Sequence, residues 1–473
     1  MKNLNFWKGL LGVAFLLLFS VSAHAQFLRT SYFMEGTHYR MQLNPALAPG
    51  RGYINIPAIG SLNATVNSSS LGYQDIIDII DNSEDADFFT SQKFMDRLDN
   101  KNNLNVNLST DIISAGWYKG KNFWSFNIGL RNDIGASIPR SMFEFLNKMD
   151  GLEGNNWMQL QNLSSMTGGQ SIRINSYAEV GIGFSRSITE RLTVGGRLKA
   201  LLGLANMKLD IHNINVQSQV EGVSDNMTPE QIEAIRGNAK IEVDASLESS
   251  SKMLELNQDP STGYIDEIDF GKFGFAGYGG AIDLGASFKL TKRLTLSASV
   301  LDLGFIKWSK GNTNIAKATG NEEYHFTPEN PGAAYEFVDK VSSGEILNYD
   351  MLQMELQEGA EKSRTTSLTS TVVLGAEYAL LGDWFVVGAL YTGRFSKPKT
   401  LNELTFSANI RPKNFFNVAM SYSVLQGAGK TFGAAVKLGP LFVGTDYMFF
   451  GKNTKNVNAY IGFSIPLNKQ KKG

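Results

Sequence analysis

Apolar residues fall at every second position along much of this chain, and that period decides what it can fold into. In Leu404-Thr405-Phe406-Ser407-Ala408-Asn409-Ile410 the even positions are apolar and the odd ones polar. Side chains of a β-strand point alternately to opposite faces, so this is a strand with one apolar and one wet face. The same alternation runs through Trp124, Phe126, Ile128 and Leu130, and through Ile282, Leu284, Ala286, Phe288 and Leu290. It returns at Phe432, Ala434, Val436 and Leu438, and at Val457, Ala459, Ile461, Phe463 and Ile465. Soluble β-sandwiches and propellers alternate too, so the period by itself leaves them open beside a membrane barrel.

The connections separate these folds. Strands are read near 54–68, 104–118, 121–138, 173–188, 191–210, 275–290, 293–308, 365–380, 384–394, 401–410, 415–424, 430–438, 441–450 and 456–466, which makes 14. Tight turns at Lys119-Gly120-Lys121, Leu381-Gly382-Asp383, Arg411-Pro412-Lys413-Asn414 and Leu438-Gly439-Pro440 all fall on one rim. Two similar segments, Ile188–Val194 and Leu290–Leu296, make tight turns on that rim as well. Connections of about 34 to 64 residues, 139–172 and 211–274 among them, fall on the other. An even strand count, short turns on one rim, long loops opposite and both termini on the short-turn side mark an outer-membrane barrel. The expectation is an all-β, transmembrane antiparallel β-barrel of about 14 strands, with long extracellular loops that contain short helices. Helix signals lie at Ser141-Met142-Phe143-Glu144 with Gly151 as a stop, at Thr228-Pro229-Glu230 with Gly237 as a stop, and in the acidic stretch from Gln74 to Asp99.

The N-terminus agrees with export. Lys2 and Lys8 precede an apolar core from Leu10 to Phe19, and Ala23-His24-Ala25 is an A-x-A cleavage site. The apolar run is shorter than the roughly 20 residues of a spanning helix. The expected organisation is a signal peptide over 1–25 cleaved after Ala25, an N-terminal hatch segment over 26–53, the barrel over 54–466 and a basic tail over 467–473. With no cysteine the chain has no thiol chemistry, no Cys-ligated metal and no N-terminal lipid anchor. A net charge of −1 gives no reason to expect a nucleic-acid partner. A mean hydropathy of −0.15 fits strands that are apolar on one face only.

If the wet faces line a lumen, strand parity places Arg131, Glu179, Arg197, Lys199, Asp283, Lys289, Glu377 and Asp446 there. Such a mixture of signs serves either a polar path for a solute or an internal ion-pair lattice that keeps the barrel shut. Trp124, Trp308, Trp384, Tyr391 and Tyr447 lie near strand ends and read as interfacial girdle residues.

Before the first strand stands Asn44-Pro45-Ala46-Leu47-Ala48-Pro49-Gly50. Here the chain resembles the FadL-like family of fatty-acid transport barrels and its relatives. The resemblance implies 14 strands and a lumenal hatch, with Asn44, Pro45 and Ala46 as its hatch and ligand-path candidates. Tyr39–Ala46, Ser137–Arg140 and Arg191–Lys199 with Leu201-Leu202-Gly203 resemble an outer-membrane barrel family defined only as a domain of unknown function. A tail running past Phe463 and Pro466 to Lys471-Lys472-Gly473 departs from the aromatic ending common among such barrels.

The histidines outside the signal segment, His38, His212 and His325, fall in separate regions. G-x-S-x-G, H-E-x-x-H and P-loop motifs are missing from the sequence. Neither an enzyme nor a cofactor or metal is expected. Three functions remain: an uptake channel for a hydrophobic or amphipathic small molecule, a non-transporting scaffold that serves an envelope protein partner, and a secreted soluble β-protein. The first two have outer-membrane lipid as a partner.

Overall fold

Strands with one apolar and one wet face can close into a ring that encloses the wet face and turns the apolar one outward, and the computed structural model shows that ring. It describes residues 29–55, 61–72, 74–75, 78, 91–150, 157–261, 263–318, 320–330, 332–342, 352, 354–395, 400–413, 415–425, 431–447 and 455–469. The expected signal peptide, residues 76, 77, 79 and 80 of the acidic stretch, the helix stop at 151 and the last four residues of the tail lie outside these.

The wall has 14 antiparallel strands. They are β1 (Arg51–Asn55, continued by Ser61–Ser68), β2 (Lys101–Lys119), β3 (Asn122–Pro139), β4 (Gln170–Ser187), β5 (Leu192–Glu221), β6 (Gly277–Lys289) and β7 (Leu294–Trp308). The second half is β8 (Ser370–Ala379), β9 (Phe385–Phe395), β10 (Leu401–Lys413), β11 (Phe416–Leu425), β12 (Thr431–Leu438), β13 (Leu441–Thr445) and β14 (Asn456–Lys469). Each pairs with its neighbours, and β14 pairs with β1 through Ala64↔Ala459 and Val66↔Val457, which closes the ring. Closure removes the two free edges that an open sheet would expose. Every strand of the sequence reading has its counterpart here. The turns at Gly120, Gly382 and Gly439 have φ of 61°, 57° and 59°, a left-handed backbone that glycine adopts without strain.

Outside the ring the surface is apolar. Leu198 and Met420 are 66% and 65% exposed, and Ile182, Leu284, Phe305, Leu374, Phe406 and Val443 are exposed with them. A water-soluble fold does not present so extensive an apolar face, whereas a bilayer covers it. Ala376, Ala389 and Ala408 line an outward-facing groove of about 610 Å³, with Phe406, Met420 and Tyr378 beside them.

The long connections are structured more than their sequence reading allowed. β5 runs for 30 residues, past any bilayer, and its far half pairs with the strand Arg236–Ser251 and with Asn162–Thr167. Thr313–Ala318 and Asn321–Phe326 add to Arg236–Ser251 on its other side. Helices Arg140–Asp150 and Ala333–Ser342 pack on this sheet. Together they form an outer cap with its own apolar core, in which Ile214, Val216, Ile241, Leu247, Ala316 and Phe337 are buried. The helix expected from Thr228 is a single turn, Pro229–Glu233, with the Thr228–Gln231 capping box in place. It ends before Gly237, which instead lies at the start of the next strand.

Two expected girdle residues point the other way. Trp308 is fully buried and its Nε1–H donates to Thr366 at 2.8 Å; Tyr447 is buried as well. Trp308 fills the space left by Gly277 on neighbouring β6 and Gly203 on β5 beyond it, where a larger residue would collide with its ring. Trp384 does lie exposed at a short turn, as a girdle residue should.

Candidate functional site

Residues 29–50 touch strands on every side of the ring and most of them are buried, so they lie inside it. Tyr32, Phe33 and Met34 are at most 1% exposed. Tyr32 Oη meets Ser297 Oγ of β7 at 2.9 Å, Thr30 Oγ1 meets Ser421 Oγ of β11 at 2.7 Å, and Tyr39 Oη donates to the Ile461 carbonyl of β14 at 3.3 Å. The Gln42 amide donates to Asp111 of β2. The only regular element of the segment is one short helix, Tyr39–Leu43.

Glycines of the wall make this fit. A Cβ on Gly195 would overlap Pro45, on Gly285 Asn44, on Gly375 Tyr32, on Gly388 Phe33, on Gly433 Thr30 and on Gly462 Tyr39. These six glycines stand on six strands, β5, β6, β8, β9, β12 and β14. Some of the chain's 47 glycines thus serve close approach between wall and segment, as others serve tight turns.

Asn44 is fully buried, and its side chain makes three ordinary hydrogen bonds. Nδ2 donates to the carbonyls of Ala286 and Ala298, each at 3.2 Å, and Oδ1 accepts from the Ala46 N–H at 2.9 Å. The last bond closes an Asx turn over Pro45, whose ring fixes the local backbone. Ser299 Oγ donates to the Leu43 carbonyl at 2.5 Å. Asn44, Pro45 and Ala46 therefore join the segment to β5, β6 and β7.

Five of the eight charges that parity assigns to the lumen come together. Glu179 accepts from Arg197 at 2.9 Å and from Asn127 at 2.9 Å, and it pairs with Arg131 at 3.4 Å and Lys199 at 3.7 Å. Lys199 in turn lies 2.8 Å from Asp283 and 2.6 Å from Asp302, and Arg131 lies 3.0 Å from Asp111. Glu377 is elsewhere, between Arg411 at 2.8 Å and Arg40 of the segment at 3.5 Å. Asp446 is also separate, and accepts the N–H groups of Arg29 and Thr30 at 3.1 and 2.7 Å. Lys289 has the inward parity but stands exposed at the rim, away from these groups.

Parity missed Asp111, Asp302, Glu403 and Arg411. A register shift between Asp111 and Ile113 breaks the period at Asp111, and Asp302 has a positive φ of 57°. Glu403 gave a usable signal, because it shares the wet face of Thr405, Ser407 and Asn409. Arg29 and His38 gave none, since the segment has no period.

His38 stacks on Tyr53 with ring centroids 4.8 Å apart, and its Nε2 meets Asn55 Nδ2 at 3.2 Å. Burial pushes its imidazole down from the usual 6.5 to about 4; the negative charge of Asp111 opposes this and the positive charge of Arg197 adds to it. His38, Gln42, Asp111 and Arg197 border a cavity of about 20 Å³, the size of one water.

Among solved structures, the chain is similar to the Ralstonia pickettii toluene transporter TbuX, at 9% identity and a TM-score of 0.39 over 93% of this chain and 94% of that one. It is likewise similar to the Pseudomonas putida toluene transporter TodX, at 9% identity and 0.37 over 94% and 95%. A Pseudomonas aeruginosa FadL homologue matches at 9% identity and 0.35 over 94% and 98%. The barrel itself rests on the strand register of this chain. No curated protein matches the sequence. The model of one family matches residues 45–446, from Pro45 in the segment to Asp446 beyond β13, and the chain belongs to that family, the Family of unknown function (DUF5723).

Proposed function

We propose that this protein is an outer-membrane channel for uptake of a hydrophobic or amphipathic small molecule, with the signal peptide over 1–25 as its export address and the expected 26–53 segment as its hatch, shortened to 26–50 because Arg51–Tyr53 already belong to wall strand β1. One observation carries this reading: the wall leaves its bore wide at six glycines and fills it with a separate segment. A barrel that only had to be rigid would fill its lumen with the side chains of its own strands. In this reading the Glu179 lattice is fixed wall, and Asn44, Pro45 and Ala46 form the root from which the hatch swings. Deleting residues 26–50 is expected to raise the permeability of proteoliposomes to a small apolar solute. Unchanged permeability in a barrel that still migrates differently when boiled and unboiled would refute the hatch.

The outer cap favours a second reading, a surface scaffold for an envelope partner, because it has a core of its own and needs no channel beneath it. Co-purification of a stoichiometric partner, with no solute flux in either the full chain or the deletion, would select it.

A further inference from the structure

We propose that Glu403, Asp446 and Tyr447 form a lumenal site for a cationic amphipath, a guanidinium or ammonium carrying an apolar group, which Arg29 occupies as a built-in competitor. This rests on the channel reading and names the class of solute. Arg29 Nη1 lies 2.7 Å from Glu403 Oε1, and its guanidinium carbon lies 4.7 Å from the centre of the Tyr447 ring. Tyr447 Oη donates to the same Glu403 oxygen at 3.3 Å. Asp446 completes the enclosure, held by its own N–H donating to Asn458 Oδ1 at 2.9 Å while its carboxylate accepts the two N–H groups of the segment. A carboxylate at the edge of a guanidinium and an aromatic ring beneath it make a cation site, and here the ring is buried and the carboxylate partly buried.

The occupant is not part of the wall. It belongs to a segment that must leave if the bore is to open, and its departure takes one guanidinium from beside a buried carboxylate, Asp446, and a partly buried one, Glu403. Burying carboxylates without a counter-charge is costly, so a solute that brings its own cation favours opening and an anionic solute opposes it. An apolar surface belongs to the same part of the wall: Leu390, Ala419, Phe442 and Tyr460 share one buried cluster with Tyr32, Phe33 and Tyr39 of the segment, and the Tyr39 and Phe442 rings lie 5.1 Å apart. A displaced segment would bare that surface for the apolar part of the solute. The site also lies where an entering solute arrives. Glu403 is near the start of β10 and Asp446 just past the end of β13, both at strand ends remote from the short turns.

Calorimetric titration of the full-length protein with benzylguanidinium, and with benzoate as the anionic control, tests this. Arg29→Ala vacates the site and should bind benzylguanidinium about tenfold or more tightly than the unaltered chain, with no gain for benzoate. Adding Glu403→Gln or Asp446→Asn to Arg29→Ala should abolish the gain. Mobility of boiled and unboiled samples verifies folding, and if the Asp446 variant does not fold the Glu403 variant decides. No gain in Arg29→Ala, an equal gain for benzoate, or a gain that survives the carboxylate change would overturn the proposal. Binding is read without flux, so cation binding in a barrel that never transports refutes the channel alone. Transport without cation binding refutes this site alone.

Discussion

Glu179 holds the greatest concentration of charge in the wall, with Arg131, Arg197 and Lys199 around one buried carboxylate. Replacing it with glutamine keeps the shape and leaves three cations facing a neutral amide. The expected cost is about 3–5 kcal/mol, read as a lower temperature for loss of the compact unboiled form on a gel. His38 gives a pH signature. Its folded value of about 4 lies below the unfolded 6.5, so between these pH values the unfolded chain binds more protons and stability falls as pH falls. The loss should begin near pH 6.5, reach roughly 3 kcal/mol by pH 4 and level off below it. His38→Gln should flatten that profile when unfolding is followed between pH 4 and 7. The wall charges were legible because period two puts them on one face, and they faded where a shifted register or a positive φ broke the period, at Asp111 and Asp302. Residues of the segment were illegible for another reason: Arg29 takes its surroundings from strands hundreds of residues away, and His38 packs on Tyr53 and Asn55 of β1 with no period in the segment to announce it.

At the scale of elements, all 14 wall strands could be read because each is bounded by a turn and each alternates. The outer cap was not. Ile241-Glu242-Val243-Asp244-Ala245-Ser246-Leu247 alternates as cleanly as any wall strand, yet no tight turn sets it off from β5, and it passed for loop. Its apolar face is buried against the cap core and not against lipid. The cap should accordingly fail independently of the barrel. Phe337 is fully buried with its ring 5.3 Å from that of Tyr324. Phe337→Ala should cost the cap about 3–5 kcal/mol and open residues 211–274 to protease. The barrel should keep its unboiled mobility, and loss of that mobility would show that cap and barrel fold as one unit.

The whole molecule is a closed ring around a segment that its own wall is shaped to receive. That closure was visible in the sequence as an even count of strands with short turns on one rim. The shape of the wall was not, because a lumenal glycine in a strand looks the same whether it faces water, a turn or Phe33. If the channel reading holds, the segment moves for solute to pass, and the cysteine-free sequence lets a single engineered disulfide hold it in place. Thr30 and Ser421 meet through their hydroxyls at 2.7 Å, so Thr30→Cys with Ser421→Cys places two thiols side by side on segment and wall. Solute flux through proteoliposomes would be measured with that pair oxidised and then reduced. Oxidation should stop flux and reduction should restore it; full flux through a completely cross-linked barrel would show that solute passes with the segment in place.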